Sequence, residues 1–434
     1  MGGVGRRVRT QMLWGLVDQG CSSAANFGLT VVAARMLGPV GLGEVFVGFT
    51  VYLLALSLQR ALISDPLVVV SAALSPNEQQ RATRAATTAT LVLALGAAVL
   101  TAAVALTLPS GLGNGLMWFV PWILPALPRD LFRTVLFRDE RGAQAAINSI
   151  VWVLAMAAAL ALTWNVRAGW AVVGSWGLGS LVAAALGFAR TQAWPARPAE
   201  AWRWWRDRAW PLGRWLGVES VVINTRLQLN TMLLAGVLGA GALGGLRAAE
   251  SLFALLTLIG PGLAMVGLPA LTRALEGSRD PGGAGPAGSL PAARSLAARI
   301  SGIALAIVAV YLIGVGSVSH DAMRLLFGPE FVAFVPLIVP IGVAELVGAT
   351  GYGYALLLKA CAAGRELFLG QLGFAVSTLA LSVGLAVSHG VEGAAWGFAL
   401  GSVAGAVLMI VFALRVDTGR TSQAAAEAPA PPLI

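Results

Sequence analysis

The residues able to do chemistry in this chain lie inside long apolar runs. Six arginines (Arg35, Arg60, Arg129, Arg133, Arg226 and Arg247) and six carboxylates (Asp18, Asp65, Asp130, Glu219, Glu250 and Glu345) interrupt them. An ionisable side chain at the centre of a bilayer costs about 2.5–3.5 kcal/mol on insertion scales, so each needs a partner, a water-filled cavity or a route to the interface. Arg60, Arg129 and Arg226 sit near the middle of their runs, too deep to reach the interface easily, and Arg129 with Arg133 at i, i+4 presents one cationic face. A planar guanidinium can hold two oxygens of a diphosphate at once. Two polar stripes accompany these cations: Asp18, Ser22 and Asn26 spaced by four, and Trp215, Glu219, Arg226 and Asn230 spaced by four, seven and four. Depth and the polar stripes make Arg60, Arg129, Arg133, Arg226, Arg247, Asn26 and Asn230 candidates for substrate contact, and Asp18, Asp130, Glu219 and Glu345 candidates for ion coupling or counter-ion roles. The competing assignment is structural: Arg129 with Glu345, Arg247 with Glu250, Arg60 with a carboxylate across the molecule, and Arg35 as a fixed contact.

Other chemistry is absent from the pattern. His320 and His389 have no ligand-spaced neighbours, so no metal is expected, and no cofactor motif occurs. Cys21 and Cys361 fall in or beside apolar runs and read as packing residues. Lys359 is the only lysine and no phosphate-binding loop precedes it, which excludes ATP hydrolysis by that route. No catalytic residue set emerges, and the expectation is a protein that is not an enzyme.

The elements that must position these groups follow from composition. Of 434 residues, 57% are hydrophobic and 11% charged, and mean hydropathy is +0.79. Recurrent apolar runs of about 20 residues are long enough to cross a hydrocarbon core. The pattern predicts an all-α polytopic membrane protein with twelve spans: Leu13–Leu37, Val45–Ser71, Ala85–Leu108, Leu116–Phe137, Ala143–Trp164, Ala168–Ala189, Pro211–Leu238, Leu243–Leu271, Ala297–Val318, Phe331–Leu358, Leu367–Ser388 and Val391–Leu414. Fifty-three glycines and an alanine-rich background suit helices packed through small residues. The first span carries Asp18 and Asn26 and runs past signal-peptide length, so it is expected to be retained.

Sidedness follows from the cations. With a cytoplasmic N-terminus, 21 of the 29 Lys and Arg fall in cytoplasmic segments, Arg167 and Arg324 alone fall in outer loops, and the six named above lie within spans. Both termini are thus expected in the cytoplasm and the chain in the cytoplasmic membrane. The formal charge of +9 is read as loops facing anionic lipid, not as nucleic-acid binding. Residues 191–210 form the expected interfacial linker: Trp202, Trp204, Trp205 and Trp210 alternate with Arg203, Arg206 and Arg208 over Ala199–Trp210, as in a helix lying among head groups. It separates an N-terminal lobe (1–190) from a C-terminal lobe (211–415), and 416–434 is expected to be a disordered cytoplasmic tail.

The chain also repeats. At an offset of 201, Trp14, Val17 and Asp18 meet Trp215, Val218 and Glu219, and the turn Leu37–Gly43 (LGPVGLG) meets Leu238–Gly244 (LGAGALG). At an offset of 215, Phe119–Pro125 (FVPWILP) meets Phe334–Pro340 (FVPLIVP), with Asp130 opposite Glu345. Six spans separate the copies, so the lobes share one orientation and are related by an axis along the membrane normal. Prolines at 121, 125, 128, 261, 336 and 340 are candidate hinges or static kinks.

With Asn26, the run Val31–Phe46 (VVAARMLGPVGLGEVF) and Pro66, the first 70 residues resemble the polysaccharide-transporter branch of the multidrug/oligosaccharidyl-lipid/polysaccharide exporter superfamily. Similarity to that family, carried further by the six-plus-six repeat, implies paired lobes that flip lipid-linked saccharides by alternating access. The multidrug branch has a Pro-kinked first helix with an ion-binding Asp, whereas no Pro occurs here between Gln11 and Gly38. The resulting expectation is a flippase for a polyprenyl-diphosphate oligosaccharide or related envelope precursor. Its partners would be membrane lipids, H+ or Na+ as a coupling ion, and an envelope-polysaccharide polymerase or glycosyltransferases. A multidrug or cation antiporter of the same fold is the runner-up. A membrane glycosyltransferase or ligase ranks lower, because the longest outer segment, His320–Glu330, is too short for a catalytic domain.

Overall fold

A computed structural model describes residues 2–71, 74–276, 290–361 and 363–416, with side chains at all of these but 2–9, 12, 215–227, 229, 257, 258, 261, 265, 266 and 276. The expected tail, 417–434, lies outside the described residues. The described chain is helical apart from short connections, with no strand among those residues. Its α-helices are α1 (Gly2–Gln59), α2 (Asp65–Ser71), α3 (Pro76–Ala105), α4 (Ser110–Arg138), α5 (Gly142–Leu162), α6 (Gly169–Thr191), α7 (Pro198–Trp204), α8 (Trp210–Ser251), α9 (Ile259–Glu276), α10 (Leu290–Ala322), α11 (Ile338–Ala360) and α12 (Gly364–Arg415). Eight stretches among the described residues are long and apolar enough to cross a membrane. α4 is not one of them; Arg129, Asp130 and Arg133 fall in its second half.

Three helices join two expected spans each, and each junction is a single glycine. In α1 the break is Gly38 (φ 66, ψ −172) and in α8 it is Gly239 (φ 80, ψ 170). In α12 it is Gly390 (φ 64, ψ −146). Positive φ costs an L-residue about 1–2 kcal/mol and glycine almost nothing, so one residue suffices to redirect the chain where a longer loop was expected. Gly38 and Gly239 are the repeat-related pair at offset 201, and they adopt the same backbone conformation.

The packing is that of helices in lipid. Small residues line the buried faces; α6 buries Ser175, Gly177, Gly179, Ser180, Ala183, Ala184 and Gly187. Large apolar side chains point outward instead, with Leu100, Leu154, Val310 and Ile313 all more than 60% exposed, an arrangement that is stable against hydrocarbon and not against water. At its N-terminus α3 is closed by a capping box, the Ser75 N–H donating to Glu78 Oε2 at 2.9 Å. The Trp/Arg linker is helical as well: α7 continues through a π-helical turn (Trp205–Ala209) into α8, and Trp202, Trp205 and Trp210 pack ring to ring.

The chain forms two compact units. The first comprises Met1–Ala248 with Met323–Val332, and the second Ala249–Ala322 with Ala333–Ile434. In the second, helices α9 to α12 bury Leu271, Ala293, Ala297, Ile300, Leu357, Met409 and Ala413 in one cluster.

Candidate functional site

Within the first unit α4 brings three charged residues to one level. Three prolines precede them, at 121, 125 and 128, yet the helix runs unbroken from Ser110 to Arg138. Arg129 and Asp130 are buried and Arg133 is half-buried. Opposite α4, the chain between α1 and α2 makes a π-helical turn, Arg60–Ser64, just ahead of Pro66. Proline offers no N–H to the preceding turn and its ring crowds the carbonyl four residues back, a strain that one wider turn accommodates. Gln59, fully buried, closes the turn by donating from Nε2 to Ser64 Oγ at 2.8 Å.

Around Asp130 the charges form a connected chain. Arg60 grips it with two bonds, Nε to Oδ2 at 2.8 Å and Nη2 to Oδ1 at 2.6 Å. Arg133 approaches the same carboxylate, Nη1 to Oδ1 at 3.5 Å, and donates from Nε to Asp18 Oδ2 at 2.7 Å. Asp18, fully buried on α1, also accepts a hydrogen bond from Ser149 Oγ of α5. Every oxygen of the two carboxylates therefore meets a donor, the condition under which buried ion pairs are tolerated.

Arg129 is the exception. It is 8% exposed, and among the described residues it forms no hydrogen bond and no ion pair. Its guanidinium instead lies over the ring of Trp152 on α5, 3.9 Å from the centroid. A cation–π contact of this kind contributes about 2 kcal/mol when desolvated, less than the several kcal/mol that burying a guanidinium costs. Three guanidiniums thus stand beside two carboxylates, Asp18 and Asp130, which Arg60 and Arg133 engage, and Arg129 lies against the Trp152 ring instead. Asp65, one turn beyond Arg60, is exposed and makes no ion pair among the described residues. Such a site can receive an anion whose oxygens bond Arg129 and the exposed edge of Arg60, whose side chain is 45% exposed.

The remaining expected site residues do not gather here. Asn26 is exposed and its carbonyl accepts from Thr30 Oγ1 at 2.8 Å. Arg247 donates to Thr231 Oγ1 and lies 5.6 Å from the Phe46 ring centroid. The Oδ1 of Asn230 is buried without a hydrogen-bond partner among the described residues. The side chains of Glu219 and Arg226 lie outside the described residues. Glu345, in the second unit, is half-buried on α11 and makes no hydrogen bond or ion pair among those residues. Arg35 donates to the carbonyls of Leu325 and Leu326, closing the end of the helical stretch before Gly328.

Ser149 and Trp152 were not among the expected site residues. Their signal was Trp152 standing three and four residues beyond Ser149 and Asn148 in an otherwise apolar run. The partner of Arg60 also differs from the expectation of a carboxylate across the molecule; the π-helical turn reaims Arg60 toward α4 of the same unit.

No family model and no curated protein matches the sequence. Solved structures do. The chain is similar to lipid II flippase MurJ in its inward closed conformation, with a TM-score of 0.73 and 11% identity over 95% of this chain and 90% of that one. It is similar to an inward-facing multidrug resistance MATE family transporter of the MOP superfamily, at a TM-score of 0.70 and 11% identity over 96% of each. A MOP superfamily transporter from Pyrococcus furiosus, described as having a binding pocket of reversed polarity, matches at 0.61 and 9% identity over 96% of this chain and 95% of that one. At these identities the likeness shows the fold: this chain has the fold of MOP superfamily transporters.

Proposed function

We propose that the chain moves an anionic lipid-linked saccharide, of the polyprenyl-diphosphate class, from the inner to the outer leaflet of the cytoplasmic membrane. The observation carrying this reading is the buried guanidinium of Arg129, without an ion pair among the described residues, beside the Arg60–Asp130–Arg133–Asp18 chain. A diphosphate would bond Arg129 and Arg60 at once, while the carboxylates of Asp18 and Asp130 hold Arg60 and Arg133 in place. Transport proceeds by rocking of two lobes, 1–190 and 211–415, joined by the interfacial linker, with both termini inside. Eight long apolar helices and the likeness to transporters support a multi-pass membrane location. Arg226, Arg247, Asn26 and Asn230 would line the saccharide's path, with Glu219 and Glu345 as coupling or counter-ion groups for H+ or Na+.

A cation antiporter is the second reading, favoured by the likeness to the MATE transporter. It requires carboxylates with no cationic partner; Asp18 and Asp130 are both held by arginine, which leaves Asp65 and Glu345, without an ion pair among the described residues, as the groups that reading would use. Equilibrium binding separates the two. The full chain in nanodiscs should bind a polyprenyl-diphosphate saccharide in competition with inorganic pyrophosphate and ignore an organic cation. Saturable binding of the cation, unaffected by pyrophosphate, would replace the flippase reading with the antiporter.

A further inference from the structure

The linker helix α7 and the π-helical turn that follows it (Trp205–Ala209) have two unlike faces. Ala201 and Ala209 are buried, and Trp204 and Trp205 pack with Leu62, Ile63 and Leu67 onto Leu131 and Val135 of α4. Trp202, Arg203, Arg206, Arg208 and Trp210 are exposed. Trp202 stacks on Trp205 with 5.3 Å between ring centroids, and Trp205 meets Trp210 at 5.0 Å, so Trp205 joins the outward rings to the inward cluster. Hydrogen bonds fix the chain leading into α7 against α3: Thr88 Oγ1 donates to the Ala196 carbonyl and Gln80 Nε2 to that of Gln192, each at 2.9 Å. Just beyond Trp210, Gly213 of α8 meets the other π-helical turn, where a Cβ on it would stand 3.3 Å from Leu62 Cα.

The inward face therefore bears on the residues that aim Arg60. Leu62 and Ile63 belong to the same π-helical turn as Arg60, and Leu131 follows Asp130 directly, so the tryptophans press together the two backbones that carry the Arg60–Asp130 pair. Isolated π turns are rare, and packing of this kind is what holds one in place. The outward face matches a charged bilayer surface. Within Arg197–Arg208 four arginines meet two carboxylates, Glu200 and Asp207, and Asp207 is engaged by Arg206, whose Nε donates to Oδ1 at 2.7 Å. Arg81 and Arg84, exposed near the start of α3, add to the excess, and the charges of Arg81 and Arg208 both act on Glu78 there. Tryptophan rings among arginines suit the level of lipid head groups, where the amphipathic ring and attraction to anionic lipid act together.

We propose that this face is a docking surface for anionic phospholipid head groups, and that the docked helix holds the π turn that keeps Arg60 on Asp130. The proposal rests on the interfacial placement of residues 191–210 and stands whatever ligand the Arg129 site takes. Its test is hydrogen exchange of the full chain in nanodiscs of phosphatidylcholine, with and without phosphatidylglycerol, and with no substrate present. Anionic lipid should slow exchange over 198–212 and over 60–71 about tenfold. Arg203→Gln/Arg208→Gln should abolish both effects, whereas Trp205→Ala should keep the first and lose the second. Equal exchange in the two lipids, protection that survives loss of the arginines, or protection of 198–212 with 60–71 unmoved in the native chain would overturn the proposal. So would inorganic phosphate that protects both segments in phosphatidylcholine alone, which would make the face a site for free phosphate. Binding of a polyprenyl-diphosphate saccharide is read separately, so its absence removes the flippase reading and leaves the lipid surface standing.

Discussion

Replacing Arg129 by leucine should leave the protein as stable as before, or more so, while abolishing anion binding. The magnitude follows from its surroundings. The substitution gives up a cation–π contact with Trp152, about 2 kcal/mol, and removes a guanidinium whose desolvation costs several kcal/mol and which makes no contact ion pair among the described residues. The net change should lie between about 0 and 3 kcal/mol in favour of the variant. Arg133→Leu is the control on the same helix. It strips Asp18, which is fully buried, of its cationic partner and should cost about 3–5 kcal/mol. Reversible unfolding in bicelles measures both, and pyrophosphate competition on the same preparations measures binding. An Arg129→Leu variant destabilised as much as Arg133→Leu would refute the reasoning, because it would make Arg129 one half of a structural ion pair.

Asp130→Asn removes the charge shared by Arg60 and Arg133, so the site should bind diphosphate on the order of tenfold more tightly and release it more slowly, read as a lower Kd with lower turnover. Ser149→Ala withdraws a donor from buried Asp18 and should cost about 1–2 kcal/mol in unfolding without altering substrate preference. At the first turn of α3, the Ser75 hydroxyl and N–H hold the Glu78 carboxyl below its usual value of 4.5. A folded pKa below the unfolded one stabilises fully above the unfolded value and is lost as pH falls through the folded one. Hydrogen exchange at the first turn of α3 should therefore accelerate as the pH drops below that range, and Glu78→Gln should abolish the acceleration.

Much of the fold was legible because its signals are cumulative. Apolar runs of membrane length and the sorting of 29 cations give an all-α polytopic chain without any knowledge of contacts. The repeat at offset 201 was legible too, and the matching positive φ of Gly38 and Gly239 supplies its physical basis. The continuity of α1, α8 and α12 was not, since a junction of one glycine leaves no polar loop to read. In the site, deep arginines stood out as costly, but their partners did not. Arg60 meets Asp130 because a π-helical turn before Pro66 rotates it there, and a change of helical pitch by one residue has no signature in hydropathy. Ser149 and Trp152 were hidden for another reason: a serine and a tryptophan in an apolar span read as packing until the neighbour they touch is known.

The central claim is that an anionic lipid-linked saccharide crosses the membrane through the Arg129 site. The most direct measurement is leaflet-resolved appearance of a fluorescent polyprenyl-diphosphate oligosaccharide in proteoliposomes, comparing the native chain with Arg129→Ala/Arg226→Ala at matched insertion, and a cationic dye in parallel. Saccharide movement should collapse in the variant while the dye stays in place. Dye movement without saccharide movement, unchanged in the variant, would contradict it.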